Sequence, residues 1–226
     1  MSNERWIIAI TGASGTIYAR RLIQAMVEHV AGVELDVVVS GAALRVMHEE
    51  EGLAVSRGEL PPALLSGSAS PAVSVYRDRP PYSLTVHEHR DIGAAIASGS
   101  YPTRGMVIVP CSMKTLAAVA HGYADNLIGR AADVTIKERR PLILVPRETP
   151  LSVIHLQNML RLAKLGVAIV PAMPGFYHQP ATIDDLVDSL VMRILDQMGY
   201  HVDLTVRWGR QRPAAEADPQ RNRSRA

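Results

Sequence analysis

Met106-Val107-Ile108-Val109-Pro110-Cys111-Ser112-Met113-Lys114-Thr115-Leu116 decides how this chain folds. Met106 to Val109 is a short unbroken apolar run, the pattern of a strand buried on both faces, and Leu116 to Val119 opens a helical pattern. Between them a hydroxyl, a lysine and a second hydroxyl stand at a strand-to-helix turn. Backbone N–H groups at a helix start point outward and the helix dipole favours negative charge there, so this turn can present donors to an anion. The G-x-x-x-x-G-K-[ST] spacing of the NTPase phosphate loop is missing. The alternative is an ordinary capped helix with an exposed lysine.

The same alternation runs outward in both directions. Strands are expected at Trp6 to Ile10, Leu35 to Val39, Met106 to Val109, Leu142 to Val145 and Val167 to Val170. Helices are expected over about 17–30, 42–50, 92–97, 115–120, 127–138, 153–165 and 183–198, with Gly166 and Gly199 placed to end the last two. Residues 52–90 are rich in Pro, Ser and Gly and read as irregular. Apolar runs separated by helices predict an α/β three-layer sandwich, a parallel sheet covered on both faces. One domain is expected over 1–208. The polar, aperiodic stretch 209–226 is expected to be a disordered tail.

A chain of 226 residues with 47% apolar residues suits one domain with a sizeable core, filled by aliphatic side chains because Phe occurs once. The net charge of +2 is not segregated, which argues against a nucleic-acid partner. A single cysteine excludes an internal disulfide and a cysteine-based metal cage, and fits a cytoplasmic protein. The N-terminal residues run straight into a strand pattern without a signal peptide, and no apolar run is long enough to span a bilayer.

Ligands of open α/β sheets bind beyond the carboxyl ends of the strands. Those ends read Thr11-Gly12-Ala13-Ser14-Gly15-Thr16, Ser40-Gly41, Cys111-Ser112-Met113-Lys114-Thr115, Pro146-Arg147-Glu148-Thr149 and Pro171-Ala172-Met173-Pro174-Gly175-Phe176-Tyr177. Four of the five carry hydroxyls or charges, which suits a large, anionic, partly flat ligand such as a nucleotide cofactor. Residues 11–16 match neither G-x-G-x-x-G nor the turn of short-chain dehydrogenases, so a nicotinamide is disfavoured and flavin mononucleotide remains. Arg130 and Lys137 are two helical turns apart on one face, about 10 Å; Asp133 and Glu138 leave open a salt-bridged surface helix. Arg193 is expected on the apolar face of the last helix, flanked by Leu190, Ile194 and Met198, either snorkelling or facing a phosphate. Cys111 reads as packing rather than a nucleophile. His87-Glu88-His89 reads as surface loop rather than metal ligands. His178 is either a proton donor or a turn residue.

Taken together the motifs resemble the UbiX/Pad-type flavin prenyltransferases. They are T-G-A-S-G at 11–15, A-S-G-S at 97–100, P-C-S-M-K-T-L at 110–116, R-A-A-D-V at 130–134, K-E-R-R-P-L at 137–142, V-P-R-E-T-P at 145–150, H-L-Q-N-M at 155–159, P-G-F-Y-H-Q-P at 174–180 and R-W-G at 207–209. The resemblance implies a flavodoxin-like or Rossmann-like fold assembled as a homo-oligomer, usually a dodecamer. It implies that a dimethylallyl group passes from dimethylallyl phosphate to reduced FMN without a metal, giving prenylated FMN for a UbiD-type decarboxylase. By resemblance, Gly12, Ala13, Ser14, Ser40, Ser112, Met113, Lys114, Thr115 and Arg147 hold FMN. Ser98, Arg130, Lys137, Tyr177 and Arg193 hold dimethylallyl phosphate, with Trp208 as an aromatic wall offered by the same or a neighbouring subunit. Glu148 resembles a proton-transfer residue, and Ser14 and Glu50 resemble residues close to the reacting ring. Where some relatives carry tryptophan after the aspartate at 91, this chain has Ile92.

Two rival readings share the fold or the cofactor. A flavin-dependent cysteine decarboxylase would carry P-x-M-N-x-x-M-W where this chain reads P-C-S-M-K-T-L. A non-catalytic FMN-binding subunit of a hydroxyarylic acid decarboxylase would keep the flavin site without the transfer.

Overall fold

A computed structural model describes residues 4–53, 59–66 and 82–209. Six strands form one sheet: β1 (Arg5–Ile10), β2 (Glu34–Val39), β3 (Ser83–His87), β4 (Gly105–Cys111), β5 (Leu142–Pro146) and β6 (Ala168–Ile169). Seven helices accompany them: α1 (Thr16–His29), α2 (Gly41–Glu51), α3 (Leu60–Leu65), α4 (Met113–Ala120), α5 (Leu127–Lys137), α6 (Val153–Lys164) and α7 (Ile183–Met198). Every strand pair is parallel and the order is β3-β2-β1-β4-β5-β6.

Each element follows from its side chains. The central strands bury nearly everything, β4 and β5 completely, so they need the unbroken apolar runs they have. Ile8, Ile10, Val37 and Val107 turn to one face, where α1 and α7 supply Leu22, Met26, Leu190 and Ile194. Ile7, Ala9, Met106 and Ile108 turn to the other, under Leu116, Ile128, Ala132 and Leu162 of α4, α5 and α6. The result is the expected three-layer sandwich.

Three expectations are corrected. The stretch 52–90 is not wholly irregular: it supplies α3 and the edge strand β3, whose half-exposed Ser-Leu-Thr-Val-His pattern lacks the apolar signal of a central strand. Residues 54–58 and 67–81 of that stretch, and 210–226 of the expected tail, lie outside the described residues. The expected helix over 92–97 is only a single 3₁₀ turn, Ala95–Ala97. At the other edge β6 shrinks to two residues: Ala168 and Ile169 pair in register with β5, and beyond them the Val170 and Ala172 N–H groups still reach the Leu144 and Pro146 carbonyls.

The strand order places the site. The chain steps outward from β1 through β2 to β3, then returns to lay β4 on the far side of β1. Connections on the two sides of that point leave in opposite directions, opening a crevice at the carboxyl ends of β1 and β4. Thr11 and the run from Ser112 to Thr115 sit there.

Candidate functional site

At this crevice Thr11 ties the two strand ends together. Its buried hydroxyl donates to the Pro110 carbonyl at 2.7 Å and accepts from the Ser112 N–H at 2.8 Å. That latch holds Ser112 where its own hydroxyl caps α4, accepting from the Thr115 N–H at 3.3 Å. Ser40 caps α2 in the same way, through the Ala43 N–H at 3.1 Å. Gly12 passes so close to α2 that a side chain there would collide with the Ala42 methyl. The starts of α1, α2 and α4 therefore converge around residues 12–15, and none carries an acidic residue in its first turn. Ala13 is buried beneath the turn, while the Ser14 hydroxyl and the Gly12 and Ser14 N–H groups have no acceptor among the described residues.

Charge completes this edge. Lys114 is exposed in the first turn of α4 and Arg147 is exposed just past β5; neither has a carboxylate partner among the described residues. A cation in a first turn opposes the helix dipole, so Lys114 stands where it costs stability unless an anion binds. Glu50 reaches over from the last turn of α2 and accepts the Gly15 N–H at 2.9 Å, which brings it beside Ser14. Among the described residues Glu148 bonds only its neighbour, the Thr149 N–H at 3.1 Å, and pairs with neither Arg147 nor Arg130. Cys111 is fully buried, and burial pushes its thiol well above the ordinary range, which suits packing and not nucleophilic attack.

A second group forms on the layer of α5. Ser98 lies in the loop after the 3₁₀ turn, its hydroxyl 2.8 Å from that of Ser100. Arg130 donates to the Ala97 carbonyl at 3.1 Å and pairs with Asp133 at 2.8 Å. Lys137 pairs with Glu138 at 2.5 Å, and this bond holds Glu138 below the usual carboxylate range. The salt-bridged helix left open by the sequence is thus what stands here. A side chain at Gly99 would meet this pair, 2.7 Å from the Lys137 Nζ.

The third group lies on the α7 layer and corrects one expectation. Arg193 is not on the apolar face of α7: its side chain is 59% exposed and pairs with Asp196 at 2.8 Å. Leu190, Ile194 and Met198 face the core, and position 193 falls between their stripe and the solvent side. Asp196 is a hub. Arg207 grips it with both terminal nitrogens, each at 2.9 Å, and His201 approaches at 3.4 Å. Burial alone would raise the Asp196 carboxyl, but the bonds from Arg207, His201 and Arg193 outweigh it and the net shift is downward. The grip on Arg207 carries its neighbour Trp208 onto Tyr177, edge to face at 5.4 Å between ring centres. His178, expected as donor or turn residue, is buried with Nε2 on the Asp185 carbonyl at 3.3 Å. His87 is not in a loop either: it sits in β3 with Nε2 2.7 Å from buried Asp36. Among the described residues no hydrogen bond, ion pair or ring contact joins any one of these three groups to another.

The Flavoprotein family profile matches residues 1–195. A probable UbiX-like flavin prenyltransferase of Streptomyces sp. (strain D7) is 46% identical over 213 residues, 94% of this chain and 96% of that protein. Flavin prenyltransferase UbiX of Pseudomonas aeruginosa is 46% identical over 92% of this chain and 95% of its own length. The chain belongs to the UbiX flavin prenyltransferase family. Among solved structures, a dodecameric FMN-dependent UbiX-like decarboxylase of Escherichia coli O157:H7 superposes with a TM-score of 0.75 at 43% identity, covering 90% of this chain and 98% of that one. AnUbiX (PadA1), solved with FMN and dimethylallyl pyrophosphate, gives 0.75 at 37% identity over 93% of this chain and all of its own. Cypemycin decarboxylase shares the fold alone, at 20% identity and a TM-score of 0.53.

Within this UbiX-type chain three structural residues were not singled out from the sequence. Thr11 latches the strand ends, Asp196 binds Arg193 and Arg207, and Arg140 holds the Ser98 loop. Thr11 stood in the quoted T-G-A-S-G motif and Arg140 in K-E-R-R-P-L. Asp196 had one signal, its i,i+3 spacing from Arg193.

Proposed function

We propose that this chain is a flavin prenyltransferase that moves a dimethylallyl group from dimethylallyl phosphate to reduced FMN and delivers prenylated FMN to a UbiD-type decarboxylase. The observation that carries the proposal is the pair of cations without a carboxylate partner among the described residues, Lys114 in the acid-free first turn of α4 and Arg147 just past β5, in a chain 46% identical over 94% of its length to a flavin prenyltransferase. That donor set fits a phosphate monoester attached to a flat ring: free N–H groups and a free hydroxyl at 12–14, capped helix starts at Ser40 and Ser112, and two cations. Gly12, Ala13, Ser14, Ser40, Ser112, Met113, Lys114, Thr115 and Arg147 hold the FMN. When bound, the reduced flavin supplies the electron-rich ring that accepts the prenyl group.

The chain's own residues do the rest. Arg130, Lys137 and Arg193 bind the donor phosphate with Ser98 and stabilise its charge as it departs. Each of these cations has a carboxylate neighbour here, Asp133, Glu138 and Asp196 respectively. Exposed pairs of this kind are worth about 0–1 kcal/mol, so a phosphate can displace them. Tyr177 and Trp208 offer aromatic faces to the allylic carbon as positive charge grows on it. Glu148, with no cation bound to it, is free to hold and move a proton at its carboxylate. Glu50 and Ser14 stand together beside the place of the ring.

Among the described residues no bond joins the three groups within one chain, and Arg193 lies on the opposite side of the sheet from Arg130 and Lys137. A site that uses all of them is completed between copies, which makes the working form a homo-oligomer, with the dodecamer of the Escherichia coli relative as the pattern. The deciding experiment incubates the protein anaerobically with reduced FMN and either dimethylallyl phosphate or the pyrophosphate. Prenylated FMN in the mass spectrum is the expected result. Flavin bound without transfer from either donor overturns the proposal in favour of an FMN-binding subunit.

A further inference from the structure

Ser98 owes its position to a residue that no motif role covers. Arg140 stands half-buried in the connection between α5 and β5. Its guanidinium donates from Nη2 to the Gly99 carbonyl at 2.7 Å, and from Nη1 to the Tyr101 carbonyl at 2.9 Å and the Thr103 hydroxyl at 3.2 Å. Three acceptors spread over five residues are thus gathered by one planar fork, which a lysine ammonium cannot reproduce. The turn is otherwise closed on itself. The Ser98 N–H goes to the Ala95 carbonyl, the Tyr101 N–H to the Ser98 carbonyl and the Ser100 N–H to the Ser98 hydroxyl, at 3.1, 3.2 and 3.3 Å. The Gly99 N–H alone has no acceptor among the described residues. Tyr101 anchors the far end, its hydroxyl 3.3 Å from buried Asp36 and its ring under the Arg5 guanidinium at 4.6 Å.

We propose that Arg140 is a positioning residue for the donor phosphate: by turning the carbonyls of Gly99 and Tyr101 inward it presents the Gly99 N–H and the Ser98 and Ser100 hydroxyls together beside Lys137. The inference rests on Ser98 and Lys137 belonging to the dimethylallyl phosphate site. Arg140 itself is occupied with carbonyls and does not touch the phosphate. Gly99 lies against the same pair: a side chain there would meet the ends of the Lys137 and Glu138 side chains.

The test uses full-length, FMN-loaded protein and four variants: Arg140→Lys, Arg140→Gln, Ser98→Ala, and Ser98→Ala with Arg140→Lys. Calorimetric binding of dimethylallyl phosphate and steady-state kinetics are read together with FMN affinity and Tm. Arg140→Lys is expected to weaken donor binding and raise its KM about ten- to a hundredfold while kcat and FMN affinity stay within about twofold. Arg140→Gln keeps one donor for one carbonyl, is expected to show the same selective loss, and serves if the lysine variant folds poorly. In the Ser98→Ala background the Arg140→Lys change is expected to be much smaller, because both act on one turn. Parallel falls in Tm, FMN affinity and kcat with additive effects would reveal a purely structural arginine and overturn the proposal. A strong Ser98→Ala defect beside a silent Arg140→Lys overturns it alone. If Ser98→Ala itself leaves donor binding unchanged, the assignment of Ser98 to the site fails, and the role of Arg140 with it.

Discussion

Lys114 carries a local electrostatic conflict. Its ammonium sits in the first turn of α4, against the positive end of the helix dipole and with no carboxylate beside it among the described residues. Lys114→Ala is therefore expected to stabilise the ligand-free protein by about 0.3–1 kcal/mol. The same change is expected to weaken FMN binding about ten- to a hundredfold, through loss of a charge-assisted contact. Thermal melts with and without FMN check both signs at once; a variant that is less stable apo and unchanged in FMN affinity would remove Lys114 from the site. Glu148 makes a different claim. Among the described residues it bonds only the adjacent Thr149 N–H, so Glu148→Gln is expected to remove the proposed proton chemistry and leave the surrounding structure intact. Normal FMN affinity with turnover slowed on the order of a hundredfold is expected from flavin titration and product mass spectrometry. Loss of flavin or of stability ahead of turnover would make Glu148 a structural residue.

Helix α7 and the segment after it act as one unit because Asp196 joins them. Asp196→Asn keeps the shape and removes the charge that holds Arg193 and Arg207. Trp208, already exposed, is then expected to leave Tyr177, seen as a loss of Tyr177-to-Trp208 energy transfer and a changed Trp208 emission intensity over the unchanged signal of buried Trp6. Use of dimethylallyl phosphate falls further than FMN binding; an unchanged emission would show that Arg207 does not set Trp208. The pH dependence has a definite sign. The folded Asp196 carboxyl lies below its ordinary 3.8, so its anchoring is fully present above 3.8 and is lost as pH falls through the lower folded value. Trp208 emission in wild type is thus expected to hold steady down to about pH 4 and change only below it. Elements of this kind were partly legible in the sequence. The buried strands and long helices announced themselves, because burial on both faces or along one stripe leaves a periodic trace. β3 did not, because an edge strand needs only one partner. Arg193 was misplaced because Leu190, Ile194 and Met198 are its neighbours in sequence while their stripe faces inward and the arginine does not.

At the scale of the molecule the strand order makes the crevice, and acid-free helix starts gather around it. This much followed from the turns after each strand. Whether one copy of the chain supplies all the proposed site residues was not legible, since a motif names residues without saying which copy they come from. Among the described residues no bond or ring contact links Arg147 and Glu148 past β5 to Ser98, Arg130 and Lys137 on the α5 layer, or either group to Tyr177, Arg193 and Trp208. If one site draws these groups from different copies, two inactive variants can repair each other. Arg147→Ala and Lys137→Ala are each expected to be nearly inactive as pure proteins. In oligomers assembled at random from equal amounts of both, about a quarter of the sites should pair an intact Arg147 from one copy with an intact Lys137 from another. Co-expression with two different affinity tags, followed by tandem purification and assay of prenylated FMN, measures that fraction. Activity well above either pure variant supports a site shared between copies. Mixed oligomers as inactive as the pure variants would place both residues in one chain's own site, and would require the groups to close on each other within a single subunit.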